Sequence, residues 1–313
     1  MLGYIGHCLL RLSVAAVGIV TVAFFLMRAI PGDPAEYMLG DFATKETIAA
    51  LRARLGLDQP VLEQYRLFVG HAITGDLGSS IVTGQPALNE VMSSLPSSAA
   101  LALCGLGVAI VLGVPLGILS AVRQGTWIDT TVMVGALAGI SFPAFWLGIA
   151  AILVFAYWIP LFPALGASGS TSWWSQAHHL TLPSIVLGLS IAAYIARLAR
   201  SAMLEILSQD YIRVARAMGV TERRIILVLA LRNALIPILA VIGVSFAWSF
   251  GNAILIEVVF SRPGLGSMLM KAIQARDYQL VQAGVLIIAA AVVVANAALD
   301  VLYGVIDPRL RTT

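Results

Sequence analysis

The sequence predicts an all-α integral membrane protein with six spanning helices, and three observations predict it. Of its 313 residues, 59% are hydrophobic and only 11% are charged, whereas ordinary soluble domains carry about 25% charged residues. Mean hydropathy is +0.93, more apolar character than one water-soluble core accommodates. Six apolar runs approach the ~20 residues needed to cross a bilayer, and arginines gather in one stretch between the fourth and fifth runs.

The first run, 9–30, exceeds the ~7–15 residues of a signal-peptide core. No small-x-small cleavage pattern follows it, so it is expected to remain as the first span. The polar segment 31–97 comes next and is expected outside the cell. It holds eight of the sixteen acidic residues. Within it, TKETIAALRARLGLDQP reads as a surface helix, with Thr44 as N-cap and Ile48, Leu51 and Leu55 on one face. Gly56 and Pro60 stop that helix, and GDLGSS at 75–80 reads as a turn. The second span is expected at 98–121. The third, 132–158, contains Pro143 in SFPAFW, which removes a helical donor and crowds the preceding turn, so a kink or break is expected. The fourth, 181–198, follows an outer loop at 159–182 that has no lysine or arginine. Trp158, Trp173 and Trp174 suit an aromatic belt there. Segment 199–233 projects from the membrane, and spans at 234–257 and 280–304 complete the single 1–313 membrane domain.

Short loops on one side carry Arg11, Arg123, the seven arginines from Arg197 to Arg232, and Arg309 with Arg311. By the positive-inside bias both termini and the arginine-rich loop face the cytoplasm. The net charge of +3 reflects this topology and implies lipid as a neighbour and no nucleic acid. Cys8 and Cys104 form neither a metal spacing nor a disulfide framework.

Asp210–Leu239 reads DYIRVARAMGVTERRIILVLALRNALIPIL and contains five arginines. At about 2.5–3.5 kcal/mol each in mid-bilayer, they would cost roughly 12–17 kcal/mol, so this segment does not span. Tyr211, Val214, Ala215 and Met218 share a helical face, with Arg213 and Arg216 off it. Asp210 sits where an N-cap belongs, Gly219 where a left-handed turn ends a helix, and Glu222 in the first turn of the next. Two short helices joined at Gly219 are expected. Their amphipathic pattern fits docking to a partner protein or anchoring on anionic lipid equally well.

This segment resembles the EAA loop of binding-protein-dependent ABC importer permeases of the peptide/nickel subfamily. PGDP at 31–34, LRARLGLDQPVLEQY at 51–65, GDLGSS at 75–80, HHLTLPSIVLG at 178–188, FSRPGLGSMLMKAI at 260–273 and DVLYGVIDPRLR at 300–311 resemble the same subfamily in order and spacing. The resemblance implies a permease subunit in a bacterial or archaeal inner membrane that carries di- or oligopeptides. It implies a second homologous permease completing the pathway, two ATPase subunits docked on the loop, and a substrate-binding protein outside. Asp210, Arg213, Ala215, Arg216, Gly219, Glu222 and Arg223 are the implied coupling residues. Arg213 stands where the general motif has glutamate, and Pro237 lies further from Gly219 than in the shorter form of the motif.

No G-x-x-x-x-G-K-[ST] phosphate loop occurs, so this chain is expected to bind no cofactor, with ATP and magnesium used by the partner ATPases. No G-x-S-x-G or H-E-x-x-H motif occurs either, and no catalytic residue or metal site is expected. Ser249, Asn252, Glu257 and Asn296 are candidates for lining a translocation path. Asp300, four residues after Asn296, sits near the cytoplasmic end and suits pairing with an arginine. The adjacent His178 and His179 do not converge on a metal. Nickel chelates, glutathione and haem are alternative cargoes. An ATP-independent secondary transporter or channel is the alternative of another class, but it would want a relay of buried carboxylates that the spans lack.

Overall fold

The computed structural model describes residues 14–25, 28, 34–39, 44–166 and 172–306, with the side chains of 34, 37, 38, 51, 54, 55 and 298–306 excepted. The described residues form twelve helices and no strand. These are α1 (Val14–Phe25), α2 (Pro34–Leu39), α3 (Lys45–Leu55), α4 (Val61–Thr74), α5 (Ala87–Val122) and α6 (Trp127–Ser141). They continue with α7 (Ala144–Trp158), α8 (Trp173–Leu207), α9 (Asp210–Ala217), α10 (Glu222–Val259), α11 (Leu265–Gln274) and α12 (Tyr278–Ile306).

Helices α5, α8, α10 and α12 are each long and apolar enough to cross a membrane, and α6 with α7 make a bent pair that meets the test together. Only part of the first expected span is described, as α1. At 1.5 Å per residue, the 36 residues of α5 reach about 54 Å, well beyond a ~30 Å hydrocarbon core. Apolar content marks only the part of each helix inside lipid. This explains why α5 begins at Ala87 and not at 98, and why α8 extends from Trp173 to Leu207 beyond the expected 181–198. The 159–182 loop is correspondingly shorter than expected, and His178 and His179 lie on α8. Pro183 sits inside that helix, where it removes only the donor to the carbonyl four residues earlier. Leu182, Pro183 and Ser184 are all buried, so packing offsets that loss. The break expected at Pro143 is present: α6 and α7 meet at 101° there.

The chain divides into two compact units: Met1–Ser97 with Gly264–Ala297, and Ser98–Pro263 with Ala298–Thr313. In the first, the start of α5 packs with α11 and α12 through Ala87, Val91, Leu265, Leu269, Ala272, Leu280 and Ala283. Helix α3 has the expected N-cap at Thr44, whose hydroxyl accepts from the Thr47 amide, and ends at Gly56 in the left-handed region. Tyr65 and Phe68 of α4 pack against Phe24 of α1, and the Tyr65 hydroxyl lies 2.7 Å from Thr21 Oγ1. The turn at 75–86 is fastened to α12 by the buried carboxylate of Asp277, which accepts from Ser80 Oγ at 2.5 Å and from the Ile81 and Leu280 amides at 3.1 Å.

In the second unit α8 is the central helix, with α5, α6, α7 and α10 against it. Close approach to α5 depends on missing side chains. A Cβ at Gly113 would sit 2.8 Å from the Ala192 carbonyl oxygen, and one at Gly117 2.5 Å from that of Ala196. In lipid, where helices gain little from the hydrophobic effect, such small-residue contact is a main source of association.

Candidate functional site

Helix α9 leaves α8 through Ser208 and Gln209. Gln209 holds the cap position without a side-chain bond, and Asp210 is the first helical residue, not the N-cap expected of it. Asp210 instead pairs with Arg213 one turn on. The helix ends as expected: Gly219 adopts φ 79°, its amide donates to the Arg216 carbonyl at 3.0 Å, and the Val220 amide donates to that of Ala215 at 3.1 Å. The chain then re-enters a helix with Thr221 at the cap and Glu222 in the first turn. Arg216 closes the corner, donating from Nε and Nη2 to the two Glu222 oxygens at 2.6 and 3.3 Å. This bond raises the Arg216 pKa further.

The second arm of the elbow differs from expectation. It is not a separate short helix but the beginning of α10, which passes through π turns at Ile225–Ala230 and runs to Val259. No glycine or proline interrupts the chain between Thr221 and Pro237, so nothing stops the helix. The second arm and the span that follows it are therefore one continuous helix.

The apolar residues of α9 divide between two faces. Ile212 is fully buried, in a cluster with Ala121, Ala199, Met203, Ile225 and Ala234, and Ala215 packs against that cluster. Tyr211, Val214 and Met218 are 43%, 56% and 77% exposed. The sequence pattern placed Ala215 with these three and did not single out Ile212. The inward face is the narrow 212/215 line, and the outward face is an unpartnered apolar ridge at i, i+3 and i+7. Tyr211 is held in place by Asn233 of α10, whose Nδ2 donates to its hydroxyl at 2.9 Å. Arg213 and Arg223 are exposed.

One polar cluster gave no sign in sequence spacing. Asp129, at the start of α6, is buried and accepts from Arg200 Nε and Nη2 of α8 at 2.7 and 2.8 Å. Ser120 Oγ of α5 at 2.5 Å and the Gly125 amide at 3.0 Å complete its shell. The end of α5 and the start of α6 are thus tied to α8 next to the cluster that seats α9. The partners lie 71 positions apart; the one available hint was an aspartate entering an apolar run.

Of the residues proposed to line a path, Ser249 and Glu257 face into the chain. Ser249 donates to the Phe246 carbonyl at 2.6 Å, and Glu257 accepts from Ser98 Oγ at 2.5 Å. Glu257 also acts on Arg262, counteracting the burial that lowers that guanidinium's pKa. Asn252 is half-buried at the edge of the outward face of α10, and its Nδ2 donates to the Trp248 carbonyl at 3.1 Å. Asn296, on α12, belongs to the other unit and is exposed. The Asp300 side chain lies outside the described residues. His178 packs on Phe162 and lies within hydrogen-bond distance of the Leu161 carbonyl, 3.1 Å from Nε2.

Comparison with known proteins supplies the family. The pattern described as "Binding-protein-dependent transport system inner membrane component" matches residues 113–312, and its N-terminal counterpart matches 1–102. The chain belongs to this permease family. It is therefore a multi-pass protein of the inner membrane. It is 39% identical to a dipeptide transport system permease of Alkalihalophilus pseudofirmus, over 99% of this chain and all of that one. It is 37% identical to a glutathione transport system permease of Escherichia coli, over 99% of both chains. A solved inward-facing methionine ABC transporter shares the fold over 69% of this permease and 96% of the matched chain, with a TM-score of 0.55 at 20% identity.

Proposed function

We propose that this permease is one half of the membrane pathway of an ATP-driven ABC importer for di- and oligopeptides. It has six spanning helices, both termini in the cytoplasm, and a second homologous permease beside it. Two ATPase subunits dock on the α9 elbow and hydrolyse ATP with magnesium, while a substrate-binding protein delivers cargo to the outer face. Asp210, Arg213, Ala215, Arg216, Gly219, Glu222 and Arg223 make up the coupling segment.

The observation that carries this reading is the apolar ridge Tyr211, Val214 and Met218. It is exposed on a helix whose opposite side is fixed into the membrane part by Ile212. An apolar stripe at i, i+3 and i+7 on a rigid projection is what a groove on another protein takes up. The arginines around it suit an acidic rim. Peptide cargo is supported by the full-length relative named as a dipeptide permease. Glutathione is the second reading, supported by the 37% identical relative of that name; it is itself a tripeptide.

The test is co-purification. The wild-type chain, tagged and extracted with its operon partners, is expected to bring down both ATPases. The doubly substituted Val214→Glu/Met218→Glu chain is expected to insert normally and lose them, because both side chains are exposed and contribute little to folding. Retention of the ATPases with undiminished uptake would refute the docking assignment.

A further inference from the structure

Over residues 243–259 of α10 the exposed large apolar side chains are Val244, Trp248 and Leu255, whereas Ser245, Ser249, Ala253, Ile256 and Glu257 are buried. Trp248 is 65% exposed. It lies nine positions inside the outer end of the 234–257 apolar run, about 13 Å at helical rise and deeper than an interfacial tryptophan belt. Its ring stacks on Tyr194 of α8, with centroids 6.2 Å apart and planes 10° from parallel. One turn along α8, the Arg197 guanidinium carbon lies 6.0 Å from the Tyr194 ring. Asn252 flanks Trp248 on the next turn of α10.

This face is unsuited to hydrocarbon. Among the described residues Arg197 has no carboxylate partner, and the indole N–H of Trp248 meets no acceptor. A guanidinium and an unsatisfied indole donor are costly in lipid and are accommodated beside water or a polar ligand. A seam between apolar helices would leave both groups unmatched as well. The stacked pair offers a planar surface for an apolar or aromatic side chain. Arg197 offers a forked donor matching a carboxylate.

We infer that Trp248, Tyr194 and Arg197 form a contact station in the translocation path, which takes a peptide with its carboxylate at Arg197 and a side chain on the aromatic pair. The inference rests on the importer reading above. It moves the path-facing surface of α10 from Ser249 and Glu257 to Trp248 and the flank of Asn252.

The experiment uses the assembled importer in proteoliposomes, with the native thiols removed as Cys8→Ser/Cys104→Ser. The thiol of Trp248→Cys is expected to react with a cationic, water-soluble thiosulfonate, more slowly when alanyl-phenylalanine, the binding protein and ATP are present. Reaction only with a lipid-soluble maleimide would place the face in the bilayer. Reaction with neither reagent would place it in a protein seam. Each of these two results overturns the inference. In parallel, Trp248→Leu and Arg197→Gln are expected to lower alanyl-phenylalanine uptake at saturating binding protein roughly tenfold, the size of a lost stacking or charge contact. Arg197→Lys should recover part of the rate, and ATPase co-purification should be unchanged in all three. Uptake at the wild-type rate in both Trp248→Leu and Arg197→Gln refutes the station. If the unsubstituted assembly imports no peptide while the Trp248→Cys thiol still reacts from water, the peptide cargo is wrong and the path placement stands.

Discussion

Gly219 is the joint of the elbow, and its substitution separates backbone geometry from contact. A Cβ at this position meets nothing within 4 Å, so Gly219→Ala adds no clash. Its cost is the left-handed φ of 79°, about 1–2 kcal/mol for a residue with a side chain. Gly219→Pro is different in kind, because the ring holds φ near −65°. The Gly219 amide bond to Arg216 disappears with the proton, and the Val220–Ala215 bond and the Arg216–Glu222 bridge cannot keep their present geometry. Two hydrogen bonds at about 1 kcal/mol each, added to the dihedral misfit, place the loss at roughly 3 kcal/mol or more. The assay is cargo uptake and binding-protein-stimulated ATP hydrolysis by the reconstituted importer, with insertion checked by membrane yield. Gly219→Ala is expected to keep uptake within about threefold of wild type, while Gly219→Pro falls below about a tenth with insertion intact. A Gly219→Pro importer working at the wild-type rate would show that the elbow's shape does not transmit motion.

Three further outcomes follow from the packing. Gly117→Val puts a branched side chain where even a Cβ meets the Ala196 carbonyl oxygen at 2.5 Å; it should lower the melting temperature of the purified chain by an amount equivalent to about 1–3 kcal/mol, whereas Gly107→Ala, in open space, should not. Asp129→Asn leaves Arg200 half-satisfied and should destabilise by about 3 kcal/mol, and a double-mutant cycle with Arg200→Gln should show coupling above about 1 kcal/mol; additive effects would mean that the pair does not fasten the helix ends. Asp277→Ala removes the carboxylate that Ser80 and Ile81 bond, and should make the 75–86 turn cleavable by added protease at a loss of about 2 kcal/mol; unchanged protection would refute its anchoring role.

Local signals were legible in the sequence because their causes are local. Thr44 and Gly56 bracket α3, Pro143 breaks the third run, and Gly219 closes α9, each through its own backbone chemistry. The extents of α5 and α8 were not legible, because apolar content reports lipid contact while helices continue into water. The α9 pattern misled because the exposed ridge is apolar too, so periodicity could not tell the face that seats the helix from the one left open. Asp129 with Arg200, and Trp248 with Tyr194, join residues distant in the chain, and one sequence offers no signal for such pairs.

The corner at Phe142–Pro143 bears on the sidedness of everything downstream. If the two legs entered and left by the same face, the chain would make an odd number of crossings, and the five arginines from 213 to 232 would emerge on the face opposite the N-terminus. That arrangement opposes the charge bias governing insertion. In the six-span arrangement proposed above, the 101° bend is a traverse and not a hairpin: α6 carries the chain part of the way and α7 completes the crossing obliquely. At the turn, carbonyls next to Pro143 lack helical donors. They cannot be left facing acyl chains, so the apex marks a place where the bilayer is held away by protein or water.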